Sequence, residues 1–130
     1  MLDTNICIFI INKHPAKVLK KLFSLNPKDV CLSSITLAEL RFGVAKSQHQ
    51  EKNNDALNQF ILPLTILKYD DDAALHYGEI RANLQKNGKL VGSLDMLIAS
   101  HARSLSLTLV TNNTKEFERV PRLKLIDWSK

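Results

Sequence analysis

Cysteine is scarce in this chain. Its 130 residues hold two, Cys7 and Cys31, each inside an apolar run where a thiol packs as a small hydrophobe, so no disulfide framework is expected. There is no Cys-x-x-Cys and no His-x-x-x-His, and the four histidines (His14, His49, His76, His101) are scattered, which argues against zinc. Four glycines and four prolines are too few for a collagenous or linker-like chain. Long apolar runs are also missing: the longest, Ile6 to Ile11, falls far short of the roughly 18 residues a membrane span needs. An acid, Asp3, stands before that run where a secretory signal would carry base, and no small-residue cleavage site follows it. These absences lead us to expect a cytoplasmic protein.

What the chain does contain is an ordinary globular mixture, 45% apolar and 24% charged, in a length that suits a single domain over residues 1–130. Eighteen Lys and Arg against 13 acids give a net charge of +5, a balance that favours polyanionic partners.

Period and punctuation predict short apolar strands alternating with helices. Leu2 ends a first strand, and Thr4-Asn5 opens helical sequence to about Lys13. Pro15 opens a second helix with Val18, Leu19, Leu22 and Phe23 as its apolar stripe and Lys13, Lys17, Lys20 and Lys21 as its wet face, closed by Asn26-Pro27. Val30 to Leu32 is a buried strand, and Ser33-Ser34 caps a helix running to Val44. Gln48 to Asn58 is helical by propensity, Thr65 to Leu67 is a strand, and Asp70 to Asp72 opens a helix that ends at Asn87-Gly88. A helix from Ser93, a strand from Leu107 to Thr111, a helical turn at Thr114 to Phe117 and a strand around Leu123 to Ile126 complete the order. Such alternation predicts an α/β fold, a three-layer sandwich with a short central parallel sheet and helices on both faces.

Ligands of open α/β sheets bind beyond the carboxyl ends of the strands, which draws attention to Asp3, Asn5, Asp95, Asn112 and Asn113. Glu39 joins them, because it lies at the edge of the buried stripe of its helix and an acid there needs a partner. Convergence of Asp3, Glu39 and Asp95, with Asn113 beside them, on Mg²⁺ or Mn²⁺ would account for all four, since hard oxygen donors select those ions and such a site hydrolyses phosphodiesters. Blander roles stay open for each: a helix cap for Asp3, a helix-start charge for Asp95, a lysine-paired surface glutamate for Glu39, a turn residue for Asn113.

The segments Met-Leu-Asp-Thr-Asn (1–5), Ser-Ser-Ile-Thr-Leu-Ala-Glu-Leu-Arg-Phe-Gly (33–43), Gly-Ser-Leu-Asp-Met-Leu-Ile-Ala-Ser-His-Ala (92–102) and Val-Thr-Asn-Asn-Thr-Lys-Glu-Phe (110–117), in that order and spacing, resemble the PIN-domain ribonucleases. The resemblance is greatest to the VapC-type toxins of bacterial toxin–antitoxin pairs and spans nearly the whole chain. It implies a metal-dependent endoribonuclease with Asp3, Glu39 and Asp95 as metal-binding acids, and Thr4 and Asn5 ordering the site. It also implies a cognate antitoxin as partner, an RNA substrate (a transfer RNA cut in its anticodon loop being the leading expectation), and a homodimer or a hetero-oligomer with the antitoxin. Asn113 occupies a position that is Asp in many such domains, which puts a second metal ion in doubt and makes Glu116 a candidate to compensate. Relatives carry a few residues before this first strand, so a shortened central strand is expected.

Arg119, Arg122 and Lys124, near Asn113 in sequence, are the candidate RNA-phosphate contacts, ahead of the Lys17, Lys20 and Lys21 face. His101 is read as a packed or surface residue rather than a general base, and Gly43 as a point of close helix packing or a bend. Two rival readings share these features: a catalytically silent PIN-like domain that binds nucleic acid or protein, and a structure-specific DNA nuclease.

Overall fold

The computed structural model describes residues 1–130. The elements follow in the order α1 (Thr4–Ile11), α2 (Ala16–Phe23), β1 (Cys31–Ser33), α3 (Ser34–Ala45), α4 (Gln50–Ile61), β2 (Thr65–Leu67), α5 (Asp71–Lys86), α6 (Ser93–Ser104), β3 (Thr108–Val110), α7 (Thr114–Phe117) and β4 (Lys124–Ile126). Polar side chains mark several starts: Asp3 accepts from the Thr4 N–H, Ser33 from Ile35 and Asp70 from Ala73. The Gln50–Ile61 helix has only Leu57 fully buried, as its polar sequence implies.

β1 pairs in parallel with β2, and β3 with β4. Met1 to Asp3 runs between the two pairs: the Leu2 N–H donates to the Cys31 carbonyl (2.9 Å), the Val110 N–H to the Met1 carbonyl (2.8 Å) and the Asp3 N–H to the Val110 carbonyl (2.8 Å). The spatial order is therefore β2, β1, Met1–Asp3, β3, β4, all in one direction, with a central strand reduced to the single bridge Leu2–Val110.

Alternation along these strands divides the core in two, because neighbouring strand residues point to opposite faces. Met1, Cys31 and Leu109 pack with Ile80, Leu84, Met96, Ala99 and Phe117 from α5, α6 and α7. Leu2, Leu32 and Val110 pack on the other face with Ile6, Val18, Leu40 and Leu57 from α1, α2, α3 and α4. The three-layer α/β sandwich expected from the sequence is the one observed. Both cysteines are free and buried, and no helix is long and apolar enough to cross a membrane.

One detail differs from expectation and another had no reading in the sequence. Gly43 makes no close contact; a Cβ built there would meet nothing within 4 Å, because the residue faces an open cavity rather than a neighbouring helix. Arg103, in the last turn of α6, is buried and reaches back to α5, donating to His76 Nδ1 (2.8 Å) and Glu79 Oε2 (2.9 Å).

Candidate active site

Strand polarity places the ends of the central strand, β1 and β3 at one sheet edge, where Asp3, Ser33 and Thr111 emerge. A continuous hydrogen-bond chain runs along it. Thr4 Oγ1 donates to Glu39 Oε1 (2.9 Å) and the Thr4 N–H to Asp3 Oδ1 (2.8 Å). Thr111 Oγ1 donates to Asp3 Oδ2 (2.8 Å) while accepting from the Asn113 N–H (3.0 Å). Asn113 Nδ2 donates to Glu116 Oε2 (2.8 Å), and the Gly92 N–H to Glu116 Oε1 (3.3 Å). Gly92 is the cap of α6, whose first turn carries Asp95. Its own lack of a side chain leaves room there: a Cβ would sit 3.6 Å from Asp95 Oδ2. The chain thus links Glu39, Asp3 and Glu116 through neutral donors and ends beside Asp95.

Burial pushes the Asp3 carboxyl above the usual carboxylate range, against the lowering effect of its Thr111 and Thr4 hydrogen bonds, with the Glu39 charge adding to the rise. Asp95 is pushed up to about 6, first by burial and then by the negative charges of Asp3, Glu116 and Glu39. Nothing cationic answers them, since both ion pairs in the chain converge on Glu79. Such a donor set, all oxygen, mutually repelling and without a basic partner, fits a hard divalent cation. The acids do not, however, converge into a ready-made ligand set as the sequence led us to expect: no three His, Cys, Asp or Glu side chains close on one point. Like charges without a counter-ion keep apart, and the threonine bonds hold Asp3 and Glu39 where they are.

The other sequence candidates divide. Asp3 is the helix cap of α1, and the same carboxylate accepts from Thr111 on its other oxygen, so capping does not exhaust it. Glu39 has Thr4 rather than a lysine as partner. Asn113 stands at the start of α7 without a side-chain capping bond, its amide donating instead to Glu116, and is more than a turn residue. Asn5 is exposed and its side chain makes no hydrogen bond, so Thr4 alone ties α1 to Glu39. Arg119 stays near the site, its Nη1 donating to the Leu90 carbonyl in the segment leading to Gly92. Arg122 and Lys124 do not. They lie where β4 begins, at the opposite edge of the sheet, Arg122 3.8 Å from Glu79 and Lys124 3.5 Å from the Ser106 carbonyl. Closeness to Asn113 in sequence misleads here because α7 carries the chain back across the sheet before β4 starts.

The contacts of Thr111 with Asp3 and of Ser33 with His101 escaped the sequence reading, which took Ser33 only as a helix cap. Ser33 ends β1 and Thr111 follows β3, much as Asp3 ends the central strand, but a hydroxyl carries no charge to attract notice. Ser33 Oγ lies 2.7 Å from the buried His101 Nδ1, which makes His101 a packed residue, as expected.

Beside Glu39 opens a mainly apolar cavity of about 220 Å³ between α1, α3 and α4, lined among others by Ile8, Ile11, Gly43, Val44 and Leu57. Phe42, at 65% exposure, stands on the same helix as its α3 wall.

The PIN-domain family profile matches residues 1–123. The chain is 51% identical over 129 residues to a tRNA(fMet)-specific endonuclease VapC of Shigella flexneri, covering 99% of this chain and 97% of that one. It is 48% identical over 128 residues to a ribonuclease VapC2 of Haemophilus influenzae, covering 98% of this chain and 96% of that one. Among solved structures, it superposes on VapBC2 of Rickettsia felis, crystallised with a DNA fragment from its promoter, with a TM-score of 0.93 and 45% identity, over 98% of this chain and 97% of that one. Matches of this extent, over nearly the whole of each chain, mean that the chain belongs to the PIN-domain family, in its VapC branch.

Proposed function

We propose that this chain is a metal-dependent endoribonuclease, the toxin of a toxin–antitoxin pair, that hydrolyses RNA phosphodiester bonds at the Asp3–Glu39–Asp95 edge. The observation that carries the reading is the hydrogen-bonded chain from Gly92 through Glu116, Asn113, Thr111, Asp3 and Thr4 to Glu39, which gathers carboxylates at the carboxyl edge of the sheet with no basic partner.

Asp3, Glu39 and Asp95 would hold Mg²⁺ or Mn²⁺, with Glu116 as the fourth negative charge. When bound, the ion supplies a water of lowered pKa and positive charge against the phosphate. The residues do the rest. Thr111 and Thr4 hold Asp3 in one orientation, with both carboxylate oxygens already occupied by a donor. Asn113 keeps Glu116 turned toward α6. Arg119, at the rim, is placed to meet an RNA phosphate. No side chain serves as a covalent nucleophile.

The substrate we infer is a transfer RNA cut in its anticodon loop, in keeping with the Shigella relative named for tRNA(fMet). A loop suits a sheet-edge site better than a stem, because unstacked nucleotides can present one phosphate to it while an A-form duplex holds its backbone in a fixed curve. The antitoxin, a small partner protein, lays an apolar segment into the cavity between α1, α3 and α4 and offers Arg or Lys to Glu39. The work is done in the cytoplasm, by a dimer or by a toxin–antitoxin hetero-oligomer.

Incubating purified protein with labelled RNA and DNA, with and without Mg²⁺ or Mn²⁺, tests this. Metal-dependent cleavage of RNA alone is expected, with cut ends mapping to anticodon loops after brief expression in cells. Cleavage of DNA, or no cleavage of either, overturns the reading.

A further inference from the structure

We propose that the lysine face of α2 is a binding site for the phosphate backbone of the RNA, next to the acidic edge; the inference rests on the ribonuclease reading and extends it to substrate binding. Lys17, Lys20 and Lys21 follow the i, i+3, i+4 spacing that puts side chains on one face of a helix, and all three are exposed. The opposite side of α2 is committed elsewhere: Val18 is buried in the core, and Leu19 and Phe23 line an apolar cavity against α4. α2 is therefore a two-sided helix whose basic side has no structural duty.

That side forms one wall of an open cavity of about 590 Å³, and the other wall is the segment leaving β4, including Asp127, Trp128 and Lys130. Its position follows from strand polarity. Asp127 leaves β4 at the same edge where Asp3 leaves the central strand, and only β3 lies between them. Two strand spacings are about 10 Å, so the wall facing the lysines leaves the sheet at the same edge as the acids, about that far from Asp3.

The lysines are electrostatically free. None makes an ion pair with an acid, and Asp127, the one acid lining the cavity, already accepts from the Ser129 N–H (2.8 Å) and Ser129 Oγ (2.6 Å) on Oδ1. An acidic site repels the polyanion it is to cut, so RNA needs positive charge close by, and three ammonium groups one helical turn apart suit successive phosphates of a flexible strand. The same spacing has no carboxylate pattern within the chain to satisfy. Arg122 and Lys124, at the opposite edge, cannot serve this end of the molecule.

The test compares Lys17→Gln/Lys20→Gln/Lys21→Gln with Arg122→Gln/Lys124→Gln. Binding of fluorescent bulk tRNA is titrated across salt in the presence of Ca²⁺, and cleavage of the same tRNA and of a trinucleotide is followed with Mn²⁺. The triple variant is expected to lose about tenfold or more in tRNA affinity, and its salt slope to fall by roughly two, while trinucleotide cleavage is unchanged. The edge control is expected to match wild type, and Lys→Arg at the three positions to restore binding. An unchanged slope and affinity in the triple variant, with wild type active, overturns this inference and leaves the ribonuclease reading standing. Failure of wild type to cleave any RNA sinks the ribonuclease reading instead. Retained tRNA affinity with lost antitoxin binding would overturn the RNA assignment and give the face to an acidic protein segment.

Discussion

Ser33 Oγ and His101 Nδ1 lie 2.7 Å apart in the core, and this contact joins the cap of the helix that carries Glu39 to the helix that carries Asp95. Ser33 Oγ accepts from the Ile35 N–H and keeps its own proton, which it can donate to Nδ1 of a neutral imidazole. Burial lowers the His101 pKa and favours that form, outweighing the nearby Asp70 charge and the Lys68 backbone. His101→Ala is expected to destabilise the protein by about 1–3 kcal/mol, because it strands a buried hydroxyl and opens a cavity. Since the unfolded chain takes up the proton more readily than the folded one, this group's contribution is full above about pH 6.5 and is lost as pH falls below it. Denaturant melts of wild type and His101→Asn should therefore converge as the pH is lowered; a constant gap rules out the neutral imidazole.

Asp95→Asn is expected to abolish metal-dependent cleavage and to raise the melting temperature of the metal-free protein at pH 7. The folded-state pKa of about 6 means that the charged carboxylate is disfavoured in the folded protein. The group therefore costs stability progressively as pH rises from about 4 through 6, and removing the charge removes that cost. Calorimetric scans with and without Mn²⁺ check both signs: the variant melts higher without metal and gains less on adding it. A lower metal-free melting temperature would mean that Asp95 is not strained by its neighbours.

Thr111→Val keeps shape and removes two hydrogen bonds, the one to Asp3 and the one from the Asn113 N–H. We expect a loss of about 1–3 kcal/mol in stability and a shift of Mn²⁺ binding toward higher pH, since Asp3 loses a bond that favours its charged form. Titration calorimetry at two pH values reads the shift, and identical Mn²⁺ affinity at both would detach Thr111 from the site.

Asn113→Asp sets a carboxylate against Glu116 Oε2, where the amide now donates. The metal-free protein should melt lower and the Mn²⁺-induced rise should grow, because the added charge is harmful without the ion and useful with it. Unchanged Mn²⁺ affinity would place residue 113 outside the ion's reach.

Gly43→Leu should separate activity from neutralisation. Position 43 is in the interior of α3 with free space around its Cβ, so the substitution is expected to stabilise the helix by about 1 kcal/mol while filling the cavity beside Glu39. Cleavage is expected to persist while the antitoxin binds more weakly, as measured by co-purification and by RNA cleavage in its presence. Wild-type inhibition of this variant would move the antitoxin to another surface.

Much of this protein is determined locally and could be read from the chain. Asp3, Ser33 and Asp70 announce their helices because a cap bonds to an N–H only one to three residues away. Asp3, Glu39 and Asp95 stood out because acids in apolar surroundings need a reason. The tertiary structure alone decided which residues complete the site. Thr111 meets Asp3 across 108 positions of sequence and Ser33 meets His101 across 68, and those distances close only when parallel strands line up side by side. Strand direction also settled the basic residues, sending Arg122 and Lys124 to the far edge and bringing Lys17, Lys20 and Lys21 alongside the exit of β4. Sequence proximity measures reach along the chain, whereas a site at the edge of a parallel sheet is assembled from the same end of every strand.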